Sequence, residues 1–562
     1  MTAASESTFN LLDEPWIPVL DAEGAVRELS LTGVFSEATA VRSIGGDIST
    51  QSFALLRLCL AVLHRALADL TPVSADEVPG TVETLASNWE TQVVPHVLDY
   101  LHRHRVRFDL FDPTRPFFQT PGLRTAKGDY SDLAKIVVDV PNGAPYLTMR
   151  SARSLRAISP AESARWLVHA QAYDTSGIKT GVVGHPRAKG GKVYPQGVAW
   201  TGQLGGLHLL GESLLRTLML NLWAALPEDD DALAADLPPW ERPVPSVEDL
   251  LPVEDALDAS RPAGPVDVYT WQPRQILLRG DRDGVTGVLI TYADRFVLQE
   301  RQHLIHREPM TLWRFSKPQT TRYKRPIQMT RKHQPGTALW RGLANIIPSD
   351  DQDEETGARS LIVEHAAALR GSPLLDGGLV HLRAIGVEYG SQESVVDEIV
   401  EDSLDLPASV LDPAERTLRK VALDAVEAAY QSVGALRFLA SNVAAAAGAS
   451  GVSLEGPRDQ ARDAGYAALD PLYRAWLRTS LLEHESEPSL ATSEWHATAW
   501  RAVRALGEEI VANAPDKAWK GFGASSARID VGRADVIFRT ALAKAFPLAF
   551  STESQKTKEV IR

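Results

Sequence analysis

Cysteine is almost absent from this chain, which has 562 residues and a single thiol, Cys59. One cysteine excludes a disulfide within the chain and any zinc site built from cysteine clusters. Long apolar runs are also missing, and without eighteen consecutive apolar residues a membrane span is not expected. Because the N-terminal residues lack the basic and apolar regions of a signal peptide, we expect a cytoplasmic protein.

Recognisable catalytic patterns are missing too. The glycine-rich string 184–193 fails the spacing of a P-loop, and Val193 stands where Ser or Thr should bind magnesium. His303 and His306 could share a helical face with Glu300, but no established metal motif has this form. A Gly-x-Ser-x-Gly string is absent. We therefore expect a protein that is not an enzyme and has no metal or cofactor.

Residues 1–407 carry a mixture of strand and helix patterns. The predicted elements are strands near 16–19 and 26–30, helices over about 50–70, 87–106 and 213–223, hairpins over 266–299 and a strand over 379–385. Cys59 falls on the apolar stripe of the first helix, where it is most simply a small buried core residue. The pattern indicates one large mixed α/β domain.

After residue 407 helical periodicity dominates the chain. The predicted helices cover roughly 413–449, 458–484, 491–513 and 532–547. Helices of this length with modest connections are typical of an antiparallel four-helix bundle. We therefore predict an α+β fold, with a mixed N-terminal domain over 1–407 and a C-terminal four-helix bundle over 408–562. The acidic, proline-rich segment 227–261 is expected to be a surface insertion or linker.

The charges are segregated along the chain. A net charge of −14 argues at first sight against a nucleic-acid partner. Yet residues 140–161, 175–211 and 309–349 contain no Asp or Glu, whereas 228–258 holds eleven carboxylates and 350–355 holds five. This distribution suggests a basic face on an acidic body, although charge runs are often only solvated surface.

The acid-free segments contain candidate phosphate contacts and allow close backbone approach to a nucleic acid. The candidates are Lys189, Lys192, Arg322, Lys324, Arg325, Arg331 and Lys332. Segment 309–349 either guides DNA over the surface or docks a negatively charged neighbour in a complex. Gln392 lies in a turn after an apolar strand, where its amide can contact base edges or wedge between them. The alternative for Gln392 is an exposed polar turn.

Two strings resemble those of a known family. Pro15 and Pro18 enclose Trp16 and Ile17 and hold an extended segment, since proline fixes φ and has no N–H. The whole string from Asn10 to Val19 resembles the N-terminal signature of the CasA family, the large subunit of the type I-E CRISPR surveillance complex, Cascade. The segment Arg115-Pro116-Phe117-Phe118-Gln119-Thr120 resembles a family segment of the form Pro-Phe-x-Gln-Thr.

The resemblance covers essentially the whole chain and implies a function without catalysis. It implies recognition of the protospacer-adjacent motif (PAM) of double-stranded DNA from the minor groove, followed by strand separation and R-loop formation. It also implies as partners the crRNA-containing Cascade subunits, the target DNA and a separate helicase-nuclease that the complex recruits. The C-terminal bundle would contact neighbouring subunits.

The resemblance also implies site residues, in a loop near the PAM, a glycine loop, a basic finger and a glutamine wedge. These residues are Asn142, Tyr146, Gly177, Lys179, Arg295, Ser391 and Gln392. Arg295 stands where the family has a lysine. Glu393 departs from the family pattern, since a carboxylate close to DNA is unfavourable unless it points away.

Two other function classes remain open on the sequence. One is a protein-only scaffold whose basic loops bind acidic proteins, and salt-dependent DNA retention would count against it. The other, a metal-dependent nuclease, has weaker support because carboxylate and His ligands are not convincingly clustered.

Overall fold

A computed structural model of the chain describes residues 8–140, 150–151, 155–251, 260–347, 357–522 and 528–549. The chain divides into two compact units, the first comprising 1–337 and 349–403 and the second 338–348 and 404–562. The first unit mixes strands and helices and the second is dominated by helices, which confirms the α+β class. Among the helices in the described ranges, none is long and apolar enough to span a membrane.

The strands are β1 Ile17–Asp21, β2 Val26–Leu29, β3 Val41–Ile44, β4 Lys179–Thr180, β5 Lys192–Val193, β6 Gly206–Leu210, β7 Arg274–Asp281, β8 Gly284–Tyr292, β9 Trp313–Phe315, β10 Gln328–Thr330, β11 Leu379–Tyr389 and β12 Val396–Pro407. The α-helices are α1 Leu31–Ser36, α2 Ser49–Ala66, α3 Val78–Ser87, α4 Val94–Arg103, α5 Pro160–Tyr173, α6 Leu214–Asn221, α7 Asp230–Ala235, α8 Pro265–Tyr269, α9 Lys317–Tyr323, α10 Leu361–Ala368, α11 Ala408–Leu411, α12 Arg416–Ala446, α13 Glu455–Arg478, α14 Ser480–Glu483, α15 Pro488–Ala512, α16 Asp516–Lys520 and α17 Val531–Ala545.

The N-terminal signature forms the central strand of a small sheet. Its strands lie in the order β2-β1-β3, and Ile17 of β1 pairs with Leu29 of β2 in an antiparallel register. Trp16 is completely buried, and its indole donates to the carbonyl of Leu11 at 3.0 Å. The Trp16 ring also meets the edge of Phe117, with centroids 6.4 Å apart. The predicted strands near 16–19 and 26–30 are confirmed, and the signature is part of the core.

The Pro-Phe-Phe-Gln-Thr segment is also internal. The Gln119 side chain donates to the carbonyl of Leu110 at 2.8 Å and accepts from the amide of Leu278 at 2.8 Å. The amide of Thr120 donates to the carbonyl of Ile276 at 2.9 Å. The segment therefore joins β7 to the N-terminal part of the first unit.

Helix α2 lies in the core of the first unit. Cys59, on this helix, is fully buried, and burial raises the pKa of its thiol to about 12, so the predicted inert core residue is confirmed. Arg57, on the same helix, forms a buried ion pair with Glu308, with Nη2 and Oε2 2.8 Å apart. The indole of Trp200 donates to the same carboxylate at 2.8 Å. The Glu308 carboxylate therefore connects its own segment of the chain with those of Arg57 and Trp200.

The helix predicted over 87–106 is shorter in the structure. Helix α3 ends at Ser87, a π-helical turn covers Trp89–Val93, and α4 begins at Val94 with Pro95 in its first turn. Proline has no N–H to donate back to an earlier carbonyl, so it favours the start of a new helix at this point. Helix α3 itself was not predicted.

The described part of the acidic segment 227–261 belongs to the first unit, and two of its side chains anchor it there. Trp240 is 3% exposed, and its indole donates to the Tyr100 hydroxyl at 2.6 Å. Glu241 accepts from Arg65 at 2.8 Å and from Tyr100 at 2.5 Å. Residues 252–259 lie outside the described ranges.

The second unit is built around α12, which contacts α13, α15 and α17. The four helices predicted after residue 407 are confirmed, with ends shifted by a few residues. Tyr473 and Trp495 are buried between them and donate to the carbonyls of Ala422 and Ala425 at 3.0 and 3.1 Å. Buried aromatic side chains thus bond to the backbone of the central helix.

Segment 338–348, which precedes the expected domain boundary, belongs to this second unit. Trp340 is completely buried, donates to Asp470 at 2.8 Å and stacks on Tyr473 with ring centroids 4.6 Å apart. The Arg341 guanidinium lies 3.7 Å from the centroid of the Tyr466 ring. A short 3-10 helix, Leu339–Asn345, from before the expected domain boundary is therefore one wall of the helical core.

Candidate nucleic-acid interface

A tight turn joins β11 to β12 and holds the expected wedge. The amide of Gly390 donates to the carbonyl of Val395 at 3.0 Å, and that of Glu393 donates to the carbonyl of Gly390 at 2.8 Å. Gln392 and Glu393 both have left-handed backbones, with φ of +56° and +55°. Two successive non-glycine residues in this region are costly and are found where a local structure has a function. Ser391, Gln392 and Glu393 are exposed.

The glycine loop contacts this turn directly. The amide of Ser176 donates to the carbonyl of Glu393 at 2.7 Å, and the Ser176 hydroxyl accepts from the amide of Gly197 at 3.0 Å. The Tyr292 hydroxyl donates to the carbonyl of Gly177 at 2.8 Å. A Cβ added at position 177 would make only van der Waals contacts of normal length. The nearest atom, the Ser394 carbonyl oxygen, would be 3.9 Å away. The fold therefore does not itself require glycine at this position.

Lys179 is placed differently from the expectation of a DNA contact. It is 7% exposed, and its ammonium pairs with Asp174 at 2.7 Å. Arg274 binds the same carboxylate at 2.5 Å and donates to the carbonyls of Thr175 and Gly197 at 3.1 and 3.0 Å. Lys179 is thus occupied inside the protein, where the network fixes the glycine loop.

The pKa shifts in this network have clear causes. Burial lowers the pKa of Lys179, and the attraction of Asp174 offsets only part of that effect. Burial pushes the pKa of Asp174 upward, but the charges of Lys179 and Arg274 outweigh it and hold that pKa below its ordinary value. The carboxylate therefore stays charged between two cations.

Arg295 lies beside the glycine loop. It is exposed, and its guanidinium donates to the carbonyl of Gln196. Gly197 has a left-handed φ of +97°, and a Cβ there would lie 3.3 Å from Arg295 Nη1. Because Gly197 also donates to Ser176, the basic finger, the glycine loop and the wedge turn meet around residues 196–197.

A groove of about 350 Å³ opens at this meeting point. Gln196, Arg295 and Glu393 lie along it, and the indole of Trp271 and the ring of Phe296 form part of its apolar wall. Charged, polar and aromatic groups are therefore brought to one concave surface of the first unit.

Lys189 and Lys192 lie at the tip of a second hairpin. Their backbones exchange hydrogen bonds of 2.8 and 3.2 Å across Gly190 and Gly191, whose φ values are +58° and +74°. Two positive φ angles make this a type I′ turn, which suits glycine at both positions. Both lysines are exposed, and neither joins an ion pair within the described ranges. They fit the prediction of available phosphate contacts, which stays a prediction.

Only some of the cationic side chains of the basic segment 309–349 are exposed to solvent. Arg322, Lys324 and Arg325 are exposed at and after the end of α9, and Arg325 donates to the carbonyl of Gln299 at 2.8 Å. These three remain candidates for phosphate contacts.

Arg331 and Lys332 are half-buried, unlike the exposed contacts expected from the sequence. Lys332 Nζ lies 5.0 Å from the centroid of the Tyr389 ring. Burial lowers the pKa of Lys332, while the nearby charges of Glu393 and Glu388 raise it. The positive charge of Lys332 thus lies near the carboxylates of Glu388 on β11 and Glu393 in the wedge turn.

The other residues considered in the sequence analysis take no part in the contacts between the glycine loop, Arg295 and the wedge turn within the described ranges. Asn142 and Tyr146 lie outside the described residues. The ring of His303 is 3.2 Å from the Pro262 carbonyl oxygen, and burial lowers its pKa. In the part of the chain that the structure describes, no three His, Cys, Asp or Glu side chains could hold a metal ion together.

Sequence reasoning missed the residues that hold the site together. Asp174 and Arg274 carry no motif, and the carbonyl of Gln196 is a backbone group with no sequence signal. Ser176 is the first residue of the string 176–179 that resembles the glycine loop, but nothing in the sequence predicts its contacts with Gly197 and Glu393. The one available signal was position, because Asp174 is the last carboxylate before the acid-free segment 175–211.

Comparisons with known proteins agree on one family. The model of the family described as CRISPR-associated protein Cse1 matches residues 10–506. CRISPR-associated protein CasA/Cse1 of Thermus thermophilus is 30% identical over 449 residues, 78% of this chain and 78% of the relative. The crystal structure of Thermobifida fusca Cse1 matches with a TM-score of 0.84 at 39% identity, over 97% of this chain and 99% of that one.

A chain from a structure of a CRISPR RNA-guided surveillance complex matches with a TM-score of 0.58 at 17% identity, over 97% of this chain and 99% of that chain. At this identity the likeness is one of fold alone.

Proposed function

Because the chain belongs to the family of CRISPR-associated protein Cse1, or CasA, we propose that it is the large, non-catalytic subunit of an RNA-guided type I-E Cascade complex. In this role it recognises the PAM of double-stranded DNA from the minor groove and helps to start strand separation and R-loop formation. Its partners are the crRNA-containing Cascade subunits, the target DNA and a helicase-nuclease that the complex recruits in the cytoplasm.

One observation carries the proposal. The glycine loop, Arg295 and the turn of Gln392 are far apart in sequence, yet hydrogen bonds through Ser176, Gln196 and Gly197 join them on one surface. A reader of DNA needs such elements close together, because they must reach neighbouring base steps at the same time.

The chemistry of these groups suits a minor groove. Arginine gains from the negative potential of a narrow groove, which favours Arg295 as the finger. A side chain inserted between base steps costs a few kcal/mol of unstacking, which guide pairing and backbone contacts must offset. Gln392 is exposed on a turn fixed by hydrogen bonds, as such a wedge requires.

Exposed cations outside the glycine loop and the wedge turn would bind the DNA backbone. Lys189 and Lys192 at the β4–β5 hairpin, with Arg322 and Lys324 at the end of α9, supply positive charge without base readout. Contacts of this kind make affinity fall with salt concentration and position the duplex.

The test is to reconstitute the guide-loaded complex with and without this chain and to measure binding to target duplexes that carry a randomised PAM. We expect PAM-selective binding only when the chain is present. Equal selectivity without the chain would contradict the proposal and favour the protein-only scaffold. DNA cleavage by the chain alone, lost on changing one His or Asp, would contradict the non-catalytic role.

A further inference from the structure

Glu393 occupies a defined position in the wedge turn. Its amide donates to Gly390 and its carbonyl accepts from Ser176, at 2.8 and 2.7 Å, so both of its backbone groups are held. The side chain is exposed next to Gln392 and, within the described part of the chain, joins no ion pair or hydrogen bond. The carboxylate is therefore presented at a fixed place with its acceptor positions open.

The charges around Glu393 lower the cost of bringing it near DNA. The side chain borders the groove together with Arg295. Lys332 is half-buried with its ammonium 5.0 Å from the centroid of the Tyr389 ring, and the charge of Glu393 raises its pKa. The positive charges of Arg295 and Lys332 thus offset part of the negative charge of Glu393 and of Glu388, which also lies near Lys332, and this lowers the cost of a carboxylate where a duplex would approach.

The groove edges of DNA treat a carboxylate unequally. In the minor groove A·T and T·A pairs present only acceptors, whereas a G·C pair adds the N2 amine of guanine as a donor. An ionised carboxylate only accepts hydrogen bonds, so it finds a partner at guanine and none at adenine or thymine. A desolvated carboxylate without a partner is strongly unfavourable. The neighbouring Gln392 amide both donates and accepts, so it tolerates either kind of pair.

We propose that Glu393 is a specificity-determining residue, whose carboxylate accepts from the N2 amine of a guanine at one PAM position in the minor groove. This inference rests on the proposed function and adds the chemistry of the base that the site selects. A G·C pair at that position is bound well, and an A·T pair is rejected because its acceptors face the carboxylate.

The experiment changes the minor-groove amine alone. Guide-loaded complex containing the full chain is titrated with target duplexes in which each PAM guanine is replaced in turn by inosine, which lacks only the N2 amine. We expect inosine at one position to weaken binding by about tenfold, the effect of a charged hydrogen bond. In a duplex that carries adenine at the same position, replacing that adenine by 2,6-diaminopurine adds the N2 amine. This change should strengthen binding by a similar factor.

Variants assign the effect to Glu393. In Glu393→Gln the amide both donates and accepts, so the preference for guanine over inosine should largely disappear, and Glu393→Ala should lose it as well. Glu388→Gln is the matched control, because Glu388 is an exposed carboxylate near the same Lys332 but lies on β11 outside the turn. It should keep the preference. Comparing variants on the same duplex cancels the weaker pairing of inosine with cytosine.

The outcomes separate this inference from the proposed function. Equal binding of guanine and inosine duplexes by the unchanged chain, or the same preference in Glu393→Gln, would overturn the role of Glu393 while PAM-dependent binding stands. If the unchanged chain conferred no PAM dependence at all, the proposed function itself would fail.

Discussion

At the scale of single residues, Lys179 shows how a neighbouring carboxylate decides the role of a lysine. Its ammonium is buried and lies 2.7 Å from the carboxylate of Asp174. We predict that Lys179→Met lowers the free energy of unfolding of the first unit by about 3–5 kcal/mol, because it leaves a buried carboxylate with Arg274 as its one cation. Hydrogen exchange of the amides in α5 and β7 would measure the loss.

Lys192→Met is the matched control for this prediction. Lys192 is exposed on the same hairpin, so its replacement should change stability by less than about 0.5 kcal/mol. Unchanged amide protection in Lys179→Met would contradict the structural role of Lys179.

Asp236 gives the first unit a dependence on pH. It is buried and accepts from the amides of Val266 and Asp267 at 3.0 and 2.7 Å, and burial raises its pKa from 3.8 to about 6. Because the pKa of Asp236 is higher in the folded than in the unfolded chain, its protonated form stabilises the fold. This contribution is complete below pH 3.8 and is lost as the pH rises through 6. The full loss is about 3 kcal/mol.

We therefore predict that the stability difference between the unchanged chain and Asp236→Asn falls by about that amount from pH 4 to pH 7. Urea denaturation across this range measures the difference. Buried His64, whose pKa burial lowers to about 3, shifts stability in the opposite direction, but it is present in both proteins and cancels. A difference that did not vary with pH would show that Asp236 titrates normally.

At the scale of elements, the role that we propose for the turn between β11 and β12 depends on one side chain, that of Gln392. We predict that Gln392→Ala slows R-loop formation more than it weakens initial PAM binding, because a wedge acts when base steps separate. Stopped-flow measurement of R-loop formation and equilibrium binding to an unopened PAM duplex give the two quantities. Equal losses in both would contradict the wedge role.

Regular elements were the most predictable part of the fold. The helix over about 50–70 and the four C-terminal helices were found because their apolar residues repeat with a helical period over many turns. Short elements were missed, and α7 and α9 are examples, since six or seven residues carry little periodic signal. The packed state of 227–251 was missed because it depends on contacts of Trp240 and Glu241 with distant residues.

The sequence indicated which loops form the candidate site, but it did not indicate the hydrogen bonds that join these loops. Sequence resemblance gave Gly177, Arg295 and Gln392, whereas no local pattern predicts that the Ser176 amide meets the Glu393 carbonyl. Lys179 was misjudged for the same reason. Its partner Asp174 is only five residues away, but the bend that brings their charges together is a tertiary feature.

At the scale of the whole molecule, the helical unit depends on residues that precede its long helices by some 70 residues or more of chain, in segment 338–348. We predict that Trp340→Ala destabilises the second unit by about 3–5 kcal/mol, because a fully buried indole and its bond to Asp470 are lost. Trp340→Phe keeps an aromatic ring on Tyr473 and should cost less. Hydrogen exchange would show the loss in α12 and α13 and leave β7 and β8 protected. A uniform loss over both units would contradict this assignment.

The placement of segment 338–348 also sets an order of events while the chain is being made. Trp340 leaves the ribosome 130 residues before its partner Asp470. At 5–20 residues per second that interval lasts about 7–26 seconds. Throughout it the indole lacks both its acceptor and the Tyr473 ring on which it stacks, so nascent chains paused in this interval present an aromatic segment to chaperones. Helix α13 thus completes the burial of a tryptophan that was translated well before it.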